Sequence, residues 1–159
     1  MINFMDIAFK EALKAYKDGE VPIGAVIVRD GVIITRGHNK RETKQLATAH
    51  AEIIAIEKAC KKLSSWRLDG CEMYVTVEPC LMCAGAALNA RLNKVYYGAE
   101  DFNGGAGRIV ATDEKVYLNS NTEFIKVGGE ERCSKILTDF FSDRRKGVTV
   151  NERSHKRHD

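Results

Sequence analysis

Proline is scarce in this chain, and so are the features that would mark it as modular, secreted or membrane-bound. Only 2 of 159 residues are proline, Pro22 and Pro79. Both fall at expected element boundaries, where a fixed φ and a missing N–H are tolerated. No stretch rich in proline or serine reads as a linker, and no internal repeat or low-complexity tract is present. No apolar run reaches the roughly 20 residues of a membrane-spanning helix. Met1–Asp6 lacks a basic segment followed by an apolar stretch, so a cytoplasmic location is the expectation. The five cysteines are 60, 71, 80, 83 and 133. An odd number without a secretion signal argues against a disulfide framework.

What remains is an ordinary globular composition, 44% hydrophobic and 30% charged, in a chain long enough to bury a core unaided. The net charge of +3 is uneven. Residues 144–159 carry Arg144, Arg145, Lys146, Arg153, Lys156 and Arg157 against Glu152 and Asp159. Such an end can reach phosphates, or it can be a solvated terminus. The organisation expected is one domain over 1–146 and a flexible basic tail over 147–159.

Hydrophobic periodicity lays out the elements. Met5, Ala8, Phe9, Ala12, Leu13 and Tyr16 fall on one helical face, and Asp18-Gly19 can end that helix. Two β-branched runs, 24–29 and 32–36, flank Asp30-Gly31, a strong hairpin signal. Residues 37–48 are polar and irregular. A helix is expected over about 49–63, a strand over 72–77 and a small-residue helix over 81–90. A strand over 94–98, a glycine-rich loop over 101–107 and a strand over 123–127 follow. Cys133, Ile136, Leu137 and Phe140 mark a last amphipathic helix. This order predicts one α/β domain, with helices over both faces of a mixed sheet.

The chemistry resides in His50-Ala51-Glu52 and Pro79-Cys80-Leu81-Met82-Cys83. Cys80 and Cys83, three apart at a helix start, can grip one ion, and the positive end of the helix favours the thiolate that metal binding needs. Pro79 suits the first helical position. Alone, C-x-x-C fits a redox pair, half of a structural zinc site, or chance. Cys60, Cys71, Cys133 and His38 are singletons, more simply packing or surface residues. His50 narrows the choice. Side chains two apart on a helix point in nearly opposite directions, so His50 and Glu52 converge only at the helix N-terminus. Three protein ligands leave the fourth zinc position to water, the catalytic pattern, and Glu52 is then a proton shuttle rather than a ligand.

H-x-E followed by P-C-x-x-C is the signature of zinc deaminases, and on it the sequence resembles the cytidine/deoxycytidylate deaminase superfamily. Further segments resemble its bacterial tRNA-adenosine deaminase branch. They are Val21–Val26, Gly37-His38-Asn39, Thr48–Glu52, Trp66-Arg67-Leu68, Tyr74–Ala86, Tyr97-Gly98-Ala99 and Asp139-Phe140-Phe141 with Arg144-Arg145. The resemblance implies a three-layer α/β/α sandwich around a mixed five-stranded sheet and one Zn2+ per subunit. It also implies a homodimer and conversion of adenosine to inosine at the wobble position of a tRNA anticodon loop. It implies substrate contacts at Asn39 on the adenine, Ile23 on the pocket wall, Asp101 beside the target base, and Phe141 and Arg145 on the RNA.

Four places depart from the branch pattern: Ala47 where proline is usual, Asn103 where lysine is common, Arg108 in the glycine-rich segment, and Ser120 in the Asn119-Ser120 pair. None touches the expected zinc ligands. Two other readings share the motif. A free-base or nucleoside deaminase, for guanine, cytosine or a related heterocycle, would not need the basic end. A non-catalytic zinc-stabilised binding module would not need Glu52.

Overall fold

A computed structural model of the chain describes residues 1–101, 104–106 and 121–147. The departures at Asn103, Arg108, Asn119 and Ser120, and the tail from 148 onward, lie outside the described residues. Helix α1 spans Phe4–Lys17, and strands β1 (Gly24–Arg29) and β2 (Val32–His38) form the hairpin. Asp30 and Gly31 both take positive φ, 51° and 75°, as a tight two-residue turn of right-handed twist requires. A short helix α2 (Arg41–Lys44) lies in the segment expected to be irregular. Then come α3 (Ala51–Leu63), β3 (Cys71–Val77), α4 (Leu81–Asn89), β4 (Lys94–Ala99), β5 (Glu123–Lys126) and α5 (Glu131–Lys146).

The sheet has five strands in the order β2-β1-β3-β4-β5. β1 runs antiparallel to β2 and β3, whereas β3, β4 and β5 run parallel, so the sheet is mixed as expected. Ala25 and Ile27 of β1, Met73 and Val75 of β3 and Val95 of β4 pack against Ala51, Ala55 and Ala59 of α3 and Ala87 of α4. On the opposite face Val26 packs with Met5 and Ala8 of α1 and Cys133 of α5. β1 is buried on both faces, which explains its unbroken apolar run. Among the described residues no helix is long and apolar enough to cross a membrane.

Two strand glycines set how close the helices come. A Cβ at Gly24 would collide with the Ala8 carbonyl oxygen of α1. One at Gly37 would meet the Ala51 carbonyl oxygen at 2.6 Å and the Ala55 nitrogen at 3.0 Å. The first turn of α3 is thereby drawn onto the end of β2. The N-terminus of α4 follows directly from the carboxyl end of β3, the edge of an α/β sheet where ligands characteristically bind.

Candidate active site

Two helix N-termini meet at this edge. His50 is the N-cap of α3, extended at φ −79°, ψ 154°, and its carbonyl accepts from Ile54 N at 3.0 Å. Cys80 is the N-cap of α4, extended at φ −69°, ψ 174°, and its carbonyl accepts from Ala84 N at 2.8 Å. Neither side chain caps its helix. Serine, threonine, aspartate and asparagine favour such positions because they satisfy free N–H groups. Here both side chains turn towards each other. Pro79 is corrected by this geometry: it precedes the N-cap instead of opening the helix. Cys80 stays extended because it forms a β-bridge with Gly105.

His50 Nδ1 lies 3.6 Å from Cys80 Sγ and 3.5 Å from Cys83 Sγ. All three donor atoms lie within 4.8 Å of one another. Tetrahedral zinc, at about 2.0–2.1 Å from nitrogen and 2.3 Å from sulfur, sets such a nitrogen and sulfur roughly 3.5–3.6 Å apart. The donor set therefore fits zinc in element and in spacing. Among the described residues no fourth histidine, cysteine or carboxylate joins the group. The Cys83 thiol donates to Cys80, and this bond, with His50 close by, holds Cys80 down to about 4. The same bond, with burial, pushes Cys83 up. Hydrogen bonding to Cys80 raises His50 despite its partial burial.

Glu52 sits in the first turn of α3, only 4% exposed. Its Oε1 has no hydrogen-bond partner among the described residues. Burial raises its pKa, outweighing a hydrogen bond from its own backbone N–H that pulls it down. An unpaired buried carboxylate oxygen is costly, by about 1–3 kcal/mol or more, and calls for a partner that the folded chain does not supply. Glu52, His50 and Ala51 line a pocket of about 100 Å³ with Val21, Ile23, Asn39 and Arg41.

Two of the five expected substrate residues, Ile23 and Asn39, thus line one pocket with Glu52. Asn39 is buried, its Nδ2 donating to Val21 O at 3.4 Å and its Oδ1 accepting from Arg41 N at 3.2 Å. Asp101 lies elsewhere, its Oδ1 accepting from Gly104 N at 3.1 Å. Phe141 and Arg145 are exposed in the last turns of α5 and line no part of the pocket.

Sequence reasoning missed Val21 and Arg41 as pocket lining, and it missed Glu20. Glu20 is 1% exposed and accepts from Glu42 N at 3.0 Å and Thr43 N at 2.8 Å, capping α2. Burial raises its pKa, but these bonds outweigh that and leave it lowered. Glu20 thereby fixes the segment that carries Asn39 and Arg41. The available signal was an acid set directly before the apolar Val21-Pro22-Ile23.

The whole arrangement has counterparts. The sequence model of the MafB19-like deaminase family matches residues 2–145. The tRNA-specific adenosine deaminase of Bacillus subtilis is 48% identical over 144 residues, 90% of this chain and 89% of that protein. The chain belongs to the tRNA-specific adenosine deaminase family. A solved structure from work on A-to-I editing by tRNA:A34 deaminases at the wobble position is 40% identical to this deaminase. It matches with a TM-score of 0.77 over 84% of this chain and 98% of that chain. A guanine deaminase structure from Bacillus subtilis is 35% identical, with a TM-score of 0.61, over 91% of this deaminase and 95% of that chain.

Proposed function

We propose that this deaminase hydrolyses adenosine to inosine at the wobble position of a tRNA anticodon, using one zinc ion held by His50, Cys80 and Cys83. The observation that carries the chemistry is the buried Oε1 of Glu52, without a hydrogen-bond partner among the described residues, on a residue that lines a pocket with His50, one of three zinc-type donors. Zinc bound there would supply a water acidic enough to lose a proton near neutral pH. Glu52 takes that proton, passes it to the ring nitrogen next to C6 of adenine, and supplies the leaving amino group with a proton in turn. Overall, water is consumed, the C6–N bond breaks, a C6 carbonyl forms and ammonia departs. Asn39 holds the edge of the adenine and Ile23 packs on it. Both positions are supported by their place in the pocket lining.

The substrate must leave the anticodon stack to enter so small a pocket, which costs a few kcal/mol from a single-stranded loop. Asp101, Phe141 and Arg145 meet the flanking RNA under this reading. The basic residues beyond Lys146 add phosphate attraction. The family resemblance supports a cytoplasmic enzyme that works as a homodimer.

Zinc-loaded protein incubated with an anticodon stem-loop bearing wobble adenosine should yield inosine, read by sequencing or mass. Free guanine and free adenosine should stay intact. Deamination of free guanine with none of the stem-loop would overturn the substrate and favour a free-base enzyme. Stem-loop binding that survives Glu52→Ala in a protein with no deaminase activity at all would leave only a binding module.

A further inference from the structure

Glu78 follows directly on β3, one residue beyond Val77, and is 4% exposed. The proposed chemistry makes no use of it. Its backbone N–H donates to Ala99 O at 2.8 Å, carrying the pairing with the last residue of β4 one position beyond the end of β3. Its side chain reaches further along the same neighbouring chain, just past the end of β4. Oε1 accepts from Asp101 N at 3.1 Å. Gly105 lies directly against the same group: an added Cβ there would collide with Oε1, come within 2.5 Å of Glu78 Cδ and meet the Asp101 carbonyl oxygen at 2.6 Å. Gly105 N donates to Asp101 O at 2.9 Å, and Gly104 N donates to Asp101 Oδ1 at 3.1 Å. Asp101 and Gly105 therefore both close on one carboxylate.

Their segment is also laced to the metal side. Ala106 N donates to Pro79 O at 2.9 Å, and Gly105 bridges Cys80. Glu78 thus stands between Asp101 on one side and the turn carrying Cys80 on the other.

We propose that Glu78 is a positioning residue: its buried carboxylate fixes the distance between the metal-ligand turn and Asp101, and so sets where the flanking nucleotide is held relative to the reacting base. The proposal rests on the RNA-editing reading above. Glu78 acts through Asp101 and touches no reacting atom. Its loss lets Asp101 drift while His50, Cys80 and Cys83 keep their own helices.

The experiment is a steady-state comparison on the anticodon stem-loop, with zinc content measured for each zinc-loaded full-length variant. Glu78→Ala should keep full zinc and raise KM by about tenfold, the scale of a lost hydrogen bond to a charged acceptor, with a smaller change in kcat. Glu78→Gln, which retains an acceptor oxygen, should recover most of that loss. In a double-mutant cycle, Glu78→Ala should add nothing to KM once Asp101→Ala is present, because the two act as one unit. Gly105→Ala leaves the carboxylate but pushes it off the segment, and should reproduce the KM rise. An unchanged KM in Gly105→Ala, or fully additive effects with Asp101→Ala, would overturn the proposal whatever Glu78→Ala does to the fold. A stem-loop untouched by the unmodified enzyme would instead overturn the function itself.

Discussion

Helices α1 and α3 lie on opposite faces of the same hairpin, each drawn in by a strand glycine, and each buries one glutamate. Their polar groups are treated in opposite ways. α1 begins with Asn3, whose Oδ1 accepts from Met5 N at 3.0 Å and Asp6 N at 3.4 Å. Its glutamate, Glu11, is 5% exposed, with Oε1 2.7 Å from Lys14 Nζ and Oε2 2.9 Å from His38 Nδ1. α3 begins with His50, which caps nothing, and its Glu52 has an oxygen with no partner among the described residues. The hydrogen bond with His38 takes Glu11 down to about 2, whereas burial takes Glu52 up. α1 satisfies its polar groups within the fold. α3 leaves its own unmet among the described residues, at a cost in stability that functional sites commonly carry.

The contrast can be broken at its strongest point first. Glu52→Gln should slow deamination by roughly 10²–10⁴-fold, the usual contribution of a positioned acid–base group, while zinc content stays full. Its melting temperature should be equal or higher, because an amide suffers less from burial than a carboxylate. A lower melting temperature would show that Glu52 is a structural partner after all.

Glu11→Gln should do the reverse, leaving activity intact at neutral pH and removing roughly 1–3 kcal/mol of stability. The sign of its pH dependence follows from the lowered pKa. Glu11 contributes fully above its ordinary value of 4.5, and that contribution disappears as the pH falls from 4.5 to about 2. Acid titrations of the two proteins should therefore converge across that window. Parallel curves would count against the pairing with His38.

The N-caps give smaller effects. His50→Asn should abolish zinc binding yet raise the stability of metal-free protein by about 0.5–1 kcal/mol, because asparagine can cap α3. Asn3→Ala should lower stability by about 1 kcal/mol and leave zinc content and turnover unchanged. Melting curves with and without zinc measure both, and stabilisation by Asn3→Ala would undo the comparison.

Much of the frame was legible because its signals are local. Asp30-Gly31 between two β-branched runs specified the hairpin. The spacing of His50 and Glu52 required convergence at a helix N-terminus, which is where they lie. The rest depended on distant partners. α2 has four residues and takes its cap from Glu20, 22 positions back, so no local pattern could reveal it. Pro79 lies two positions before the first residue of α4 rather than at it, because Cys80 between them is extended and bridged to Gly105. Glu78 lies just beyond the strand expected over 72–77 and carried no signal of its own, since its partners Asp101 and Gly105 are more than 20 positions away. Phe141 and Arg145 fell on the expected helix, but contact with a ligand cannot be read from helical periodicity.

Gly37 gives the sheet a say in the chemistry. Its missing side chain leaves the carbonyl oxygen of Ala51 almost touching the strand, and Ala51 is the one residue between the imidazole and the carboxylate. Even a methyl group there would lift that peptide and tilt its two neighbours, so a change on a buried β-strand position that lines no part of the pocket would be felt as a defect in catalysis.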